Sequence, residues 1–293
     1  MLTGSIQSVI SKDEGLSSRL ADKLGKRHES DWVTIYYRKS NEKIRSVLLP
    51  RGDRILEEAQ ALSLSDVVYV AIDEPLKPED GEIALLAEAS GSICQVIGPA
   101  LLHRYLGELE ISKNIVADML PVEGSGLESG FTYVDRIFKV KGVGTVALGF
   151  SGEPLSVHDK LYAFPSGKIV EVKSIQVLDE DQDSVGVGVR VGLALKGAEL
   201  EDIKDTYALS RNPSALVVGK ILAKVTKFKW AGELPTKVHA VSYGVKVMVG
   251  VEDGILVSDI PFPSAGRAIL VDVNARPRTP RVVGYAVMSE AEP

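Results

Sequence analysis

Two basic stretches near the end of the chain carry the residue types that handle phosphate. Lys220, Lys224, Lys227 and Lys229 fall in one run with Phe228 and Trp230. Arg276, Arg278 and Arg281 fall in ARPRTPR (275–281), where Pro277 and Pro280 stiffen the backbone. Lys and Arg neutralise phosphates, and exposed aromatic rings stack on bases, so the combination is that of an RNA contact. The lysine run equally fits the solvated face of a β-strand. Other chemistry is sparse. His28, His103, His158 and His239 have no metal-ligand spacing to one another or to a cysteine. Cys94 lies in the apolar run ICQVI, where a buried thiol is expected rather than a nucleophile. Asp179, Glu180, Asp181 and Asp183 lack the spacing of a calcium loop and read as a solvated turn. Gly186, Gly188 and Gly192 imitate a dinucleotide motif but do not sit at a strand-to-helix turn, so that reading fails. There is no Gly-x-Ser-x-Gly elbow.

The scaffold that must position these residues has ample material. The 293 residues are 45% hydrophobic and 25% charged, a globular composition. At roughly 100–200 residues per domain, two or three domains are expected. A chain of this size buries roughly three quarters of its unfolded surface and needs no disulfide or metal to fold. A single cysteine fits a reducing compartment. No apolar run of about 18 residues predicts a membrane span, and residues 1–10 lack the pattern of a secretory signal, so a cytoplasmic protein is expected. Only four Asn and five Gln occur, which suits a thermophilic source. The net charge of −6 argues against wholesale coating of nucleic acid. The charge is uneven, however. Residues 1–128 hold 14 basic and 21 acidic groups, whereas 206–293 hold 11 and 7. A basic last third permits a local RNA-facing surface, and ordinary variation in surface charge would look the same. The acidic front is one that RNA would avoid.

Along the first 120 residues, strand-like and helix-like segments alternate. Strands are expected at 5–10, 32–37, 44–49, 67–72 and 93–97, and helices at 15–24, 54–62, 78–89 and 101–109. The uninterrupted run VVYVAI (67–72) marks a strand buried on both faces. This alternation means a mostly parallel sheet covered by helices. PVEGSGLESG (121–130) is a linker by composition. Beyond it, short Val- and Ile-rich strands alternate with turn residues, the mark of barrels or sandwiches. A second joint is expected at SRNPS (210–214).

The second segment carries the most specific pattern: VDRIFKVKGVGTVALGF (134–150), SGEPLSVHDKLYAFPSGKIVEVKSIQV (151–177) and VGVGVRVGLALKGAELEDI (185–203). It resembles domain II of the translational GTPases of the elongation factor Tu class, and looks closest to the archaeal SelB form. The match runs nearly end to end over 131–205. The resemblance implies a G-like α/β domain over 1–122, a domain II-like barrel over 129–206 and a domain III-like barrel over 207–293. The fold class expected is therefore α/β plus β: a degenerate P-loop-GTPase-like, doubly wound domain followed by two β-barrels. Gly142 and Gly144 suit a tight turn, and Gly149 and Gly152 are read as the next corner. The sequence stops at Pro293 without a SelB-like extension, so a role in reading a selenocysteine RNA element is not expected.

If the front domain descends from a G domain, its three signatures should follow three of its strands. At the phosphate loop, Gly15 and Ser17 survive. Ile10 replaces the first glycine and Leu16 the lysine, while Asp13 and Glu14 place carboxylates where an anion should sit. At the second motif Gly52 remains but Leu49 replaces the aspartate. At the base-reading motif the residues are Gly98, Pro99, Ala100 and Leu101, with no carboxylate. No cofactor, no metal and no GTPase activity are expected. In the related factors, domains II and III contact the acceptor end and stem of transfer RNA. The resemblance thus nominates Lys196, and with the basic last third the RNA-binding candidates are Lys196, Lys227, Lys229, Arg276, Arg278 and Arg281. The leading reading is a GTPase-dead paralogue of an elongation factor that binds transfer RNA, other RNA or the ribosome. The alternative is a pseudo-GTPase protein-interaction module whose front domain binds a partner chain. An active GTPase with altered motifs is the third and least supported.

Overall fold

A computed structural model describes residues 1–30, 32–51, 54–252 and 254–289. The first layer contains β1 (Thr3–Ile10), α1 (Glu14–Leu24), β2 (Lys26–Ser30), β3 (Val33–Ser40), β4 (Lys43–Pro50), α2 (Ile55–Leu64), β5 (Val67–Ala71), α3 (Pro78–Ser90), β6 (Ile93–Ile97), α4 (Leu102–Tyr105) and β7 (Ile115–Val116). The strands lie in the order β2-β3-β4-β1-β5-β6-β7. Strands β4, β1, β5, β6 and β7 are parallel, and β3 is antiparallel to both its neighbours. One face of the sheet packs on α1 through Val9, Leu20, Leu24, Tyr36 and Val47. The other packs on α2 and α3 through Ile6, Leu48, Leu62, Val70 and Ile83. This is the doubly wound layer expected from the alternating pattern.

Local chemistry sets the helix ends. The Asp13 carboxylate caps α1 by accepting the Leu16 N–H at 2.7 Å. Pro78 opens α3, Asp80 accepts the Lys77 N–H at 2.8 Å, and Gly91 ends the helix in the left-handed region. The expected helix over 101–109 is shorter than its apolar pattern. It stops at Tyr105, Gly107 interrupts it, and a 3-10 turn (Glu110–Asn114) follows. Strand β2, with the sequence KRHES, has no apolar alternation and was not expected at all.

Beyond the linker come β8 (Thr132–Val140), β9 (Gly144–Ser151), β10 (Leu155–Ser156), β11 (Lys160–Phe164), β12 (Lys168–Val177), β13 (Glu180–Gln182), β14 (Ser184–Val185), β15 (Arg190–Lys196), α5 (Leu200–Ile203) and β16 (Ala208–Ser210). A barrel closes in the order β11-β16-β8-β9-β15-β12, with β12 pairing back to β11. Through β16 its hydrogen bonding extends to Ser210. The last barrel contains β17 (Leu216–Lys227), β18 (Lys237–Ser242), β19 (Val245–Glu252), β20 (Ile255–Pro263), β21 (Gly266–Val271) and β22 (Val282–Met288), closed in the order β17-β20-β19-β18-β21-β22.

Gly142 and Gly144 make the β8–β9 turn with φ of 84° and 110°. Gly149 is different from what its sequence suggests. It lies within β9, where a Cβ would meet the Tyr133 carbonyl oxygen at 1.9 Å, so close strand approach and not a corner requires it. The joints between layers also differ from one another. Against the last barrel, α2 and α3 share one continuous core that includes Leu62, Ile83, Val241, Ile269 and Ala286. The Gln60 side chain sits where all three layers meet: its Nε2 donates to the Tyr133 hydroxyl and the Gly244 carbonyl, and its Oε1 accepts from Lys246. Against the first barrel, backbones meet at Gly4, Gly126 and Gly188, where a Cβ on Gly188 would lie 2.4 Å from the Gly4 carbonyl oxygen.

Candidate functional site

Between β3 and the first barrel lies a pocket of about 260 Å³. Strand β3 presents Val33, Ile35 and Tyr37 to it, with Trp32 at its start. The barrel contributes Asp135 and Arg136 from β8 and Arg190 from β15. The buried Asp135 carboxylate receives Arg190 Nη1 on Oδ2 at 2.7 Å, and Trp32 Nε1 on the same oxygen at 3.4 Å. Its Oδ1 has no hydrogen-bond partner among the described residues. A buried carboxylate oxygen without a donor is costly unless a ligand or water supplies one. The Arg190 guanidinium lies 4.8 Å from the Phe150 ring centre, which holds it from below. Burial pushes the Tyr37 phenol up to about 12, partly countered by Arg190, so at neutral pH it is an uncharged donor. His28 stands edge-on to Tyr37 with ring centres 5.3 Å apart. The pocket thus offers a bare acceptor, cationic groups and aromatic walls. That set can hold a small polar group bearing hydroxyl or amine donors; a nucleophile–base pair is not among it. No group of three or more His, Cys, Asp or Glu side chains among the described residues is placed to hold a metal ion.

A second place of interest is the end of β1, where a phosphate loop would lie. Ile10 is buried at the strand end, and Gly15, Leu16 and Ser17 are already helical, in the first turn and a half of α1. The amide that the Asp13 carboxylate accepts is that of Leu16, one of those free at a helix start. The Ser17 hydroxyl donates to the Glu14 carbonyl at 3.1 Å. Lys12 Nζ contacts Glu58 Oε1 at 2.6 Å, and Glu58 is fully buried, which raises its carboxyl pKa despite the ammonium. Leu49 packs beside the core on the α1 face. Gly52 lies outside the described residues. Gly98 donates its N–H to the Val116 carbonyl, and Pro99, Ala100 and Leu101 lead directly into α4.

No protein-family model matches the chain. The uncharacterized protein MJ0325 of Methanocaldococcus jannaschii is 30% identical over 211 residues, which cover 64% of this chain and 67% of that protein. The selenocysteine-specific elongation factor of the same organism is 38% identical over 111 residues, 36% of this chain. The chain thus matches only 24% of that factor's length. The crystal structure of translation elongation factor SelB from Methanococcus maripaludis, in complex with the GTP analogue GPPNHP, superposes with a TM-score of 0.74 at 18% identity. That likeness covers 100% of this chain and 80% of the SelB chain. The chain belongs to one family with MJ0325 and is itself a homologue of the SelB- and elongation factor Tu-like archaeal translation factors. At 18% identity the SelB likeness shows the shared fold, an α/β layer followed by two barrels.

The structure brings Arg278 and Arg281 to one groove with Trp230, and four of the six basic candidates already have side-chain partners. Lys196 pairs with Glu171 at 2.8 Å. Lys227 donates to the Phe228, Ala231 and Gly232 carbonyls. Lys229 pairs with Glu108 and lies over Trp230. Arg281 makes a two-pronged contact with Glu82, at 3.0 and 2.5 Å, and so joins the last barrel to α3. Burial opposes ionisation of Glu82, but the Arg281 hydrogen bonds and charge prevail and hold it below its usual range. Only Arg276 and Arg278 of the six have side chains without a partner among the described residues. Asp135, Arg190, Trp32 and Tyr37, which line the pocket, were absent from the candidate set. The Asp135-Arg136 pair was visible as part of the domain II pattern, but nothing in sequence spacing could bring Trp32 to it across 103 residues.

Proposed function

We propose that this chain is a GTP-independent, cytoplasmic homologue of the elongation factors that binds RNA and holds an RNA end in the pocket between β3 and the first barrel. The observation that carries the reading is the buried Asp135 with one oxygen left without a donor, backed by Arg190 and walled by Trp32 and Tyr37. The 2′- and 3′-hydroxyls or an amine at a terminal nucleotide supply the missing donors, and a base stacks on the aromatic walls. Independence from GTP is supported by Asp13, whose carboxylate occupies the helix start that would otherwise receive a phosphate. Lys12 is drawn to Glu58. In this reading Ile10, Gly15, Leu16, Ser17, Leu49, Gly52 and Gly98 to Leu101 mark motifs whose nucleotide function is gone.

Titration of the purified full chain with fluorescent transfer RNA, charged and uncharged, without nucleotide and at near-physiological salt tests this reading. Binding at micromolar concentration or tighter is expected, weakened about tenfold or more by Trp32→Ala, on the scale of a lost stacking contact. Submicromolar, magnesium-dependent binding of GTP would refute the nucleotide part. A second reading, the protein-interaction module, is favoured by one observation. A groove of about 570 Å³ between α3, α4 and the last barrel exposes Tyr105 and Trp230 beside Leu85, Leu106 and Leu109. Recovery of a stable partner after nuclease treatment, lost on Tyr105→Asp, would support it.

A further inference from the structure

The acidic front of the chain conceals a basic edge. Residues 19–45 contain eight Lys or Arg and four acidic groups, whereas the rest of 1–128 contains six and seventeen. Folding concentrates these cations further. A hollow beside the β2–β3 pair is lined by Lys23, Lys26, Arg27, Tyr37, Arg38 and Lys39, with Asp22 the acidic group among its walls. Lys26 stands opposite Tyr37 and Arg27 opposite Tyr36. Arg38 stands directly opposite Arg45 on β4, a like-charge cross-strand pair that destabilises a sheet. Lys39 and Arg45 are neutralised, by Glu180 and Glu123. Lys23, Lys26, Arg27, Arg38 and Lys43 are exposed and make no ion pair among the described residues.

Three concave surfaces connect through shared side chains. Tyr37 lines both the Asp135 pocket and the basic hollow, and Arg38 lines both that hollow and a further one with Lys43 and Arg45. Unpaired cations arranged along a continuous path fit a ligand with repeated negative charge. We propose that the β2–β3 edge is the track along which an RNA phosphate backbone leaves the Asp135 pocket. The assignment rests on the RNA reading above and moves the backbone contact from the last barrel to the front layer.

The test uses the full chain and fluorescent transfer RNA, with affinity measured across a potassium chloride series. The variant Lys23→Gln/Lys26→Gln/Arg27→Gln/Arg38→Gln is expected to bind about tenfold or more weakly. Its plot of log affinity against log salt should be shallower by about 3, since each lost phosphate contact removes roughly 0.7–0.9 from the slope. Lys220→Gln/Lys224→Gln/Arg276→Gln/Arg278→Gln should leave the slope within about 1 of wild type. Ultraviolet cross-linking of the unmutated chain to RNA should label the peptide containing Tyr37, a readout independent of how the variant folds. An unchanged slope in the first variant overturns the track while leaving RNA binding intact. The same unchanged slope with new dimers by light scattering would make these lysines guards of an exposed sheet edge and also overturn it. Absence of RNA binding by the wild type at any salt would overturn the function proposed above and the track with it.

Discussion

The α/β layer meets its two barrels through surfaces of different character. Against the last barrel it is dry: α2 and α3 continue the barrel's own core, and Gln60 and the Glu82–Arg281 pair cover the polar points. Against the first barrel it is mixed: Phe131, Tyr133 and Phe150 join the shared core, backbones touch at three glycines, and a pocket holds a buried, half-satisfied carboxylate. The first barrel's main cluster, with Leu161, Val172, Ile175, Val191 and Leu193, reaches the front layer at Leu2 and Ile44. An apolar joint loses free energy roughly in proportion to any area exposed, so it fixes orientation. A polar joint with an unmet hydrogen bond leaves room for a ligand to complete it.

The shared core can be broken most forcefully at Phe131, where the first barrel meets the last. Its ring is fully buried and meets Tyr243 of the last barrel edge-on, with centres 6.1 Å apart. Phe131→Ala is expected to cost about 3–5 kcal/mol in urea unfolding. Gln60→Ala comes next, at about 1–3 kcal/mol, because it strands the Tyr133 hydroxyl, the Gly244 carbonyl and the Lys246 ammonium together. A cost near zero would mean that the three layers do not meet there in solution.

Glu82→Gln sharpens the same joint through pH. Because Arg281 holds Glu82 below its usual value of 4.5, the pair's contribution is full above that value and is lost as pH falls through the folded-state value. Thermal melts of the wild type should therefore lose midpoint on acidification below about pH 4.5. The variant should start lower and lose less over the same window. The smallest effect is expected at Cys94, whose thiol burial pushes up to about 12. Iodoacetamide at pH 8 should leave it unmodified in the native chain and label it in urea. For the joint with the first barrel, Trp32→Ala should cost less stability than Phe131→Ala and more RNA affinity.

Much of this architecture was legible. Buried parallel strands announce themselves as unbroken apolar runs, so VVYVA and ICQVI were found where they lie. The domain II pattern carried the first barrel from end to end. Strand β2 was illegible because an edge strand needs no apolar alternation, and KRHES has none. The helix over 101–109 was overcalled because leucine spacing persists through Gly107, where the backbone turns. Which cations are paired was not legible for a simple reason. Lys196, Lys229 and Arg281 are indistinguishable in sequence from Lys26 and Arg38, and only the partners brought across the fold tell them apart.

The sequence by itself determined the layers: where strands and helices form, and which domain II-like segment closes a barrel. Those depend on local periodicity, turn residues and charge at fixed positions, all written within a few residues of one another. The tertiary structure alone decided which charges are spent and which remain. Glu82 reaches Arg281 across 199 residues, and Trp32 reaches Asp135 across 103. An ion pair or a half-satisfied carboxylate exists only once distant elements are packed, because its energy depends on burial and distance that no local pattern records.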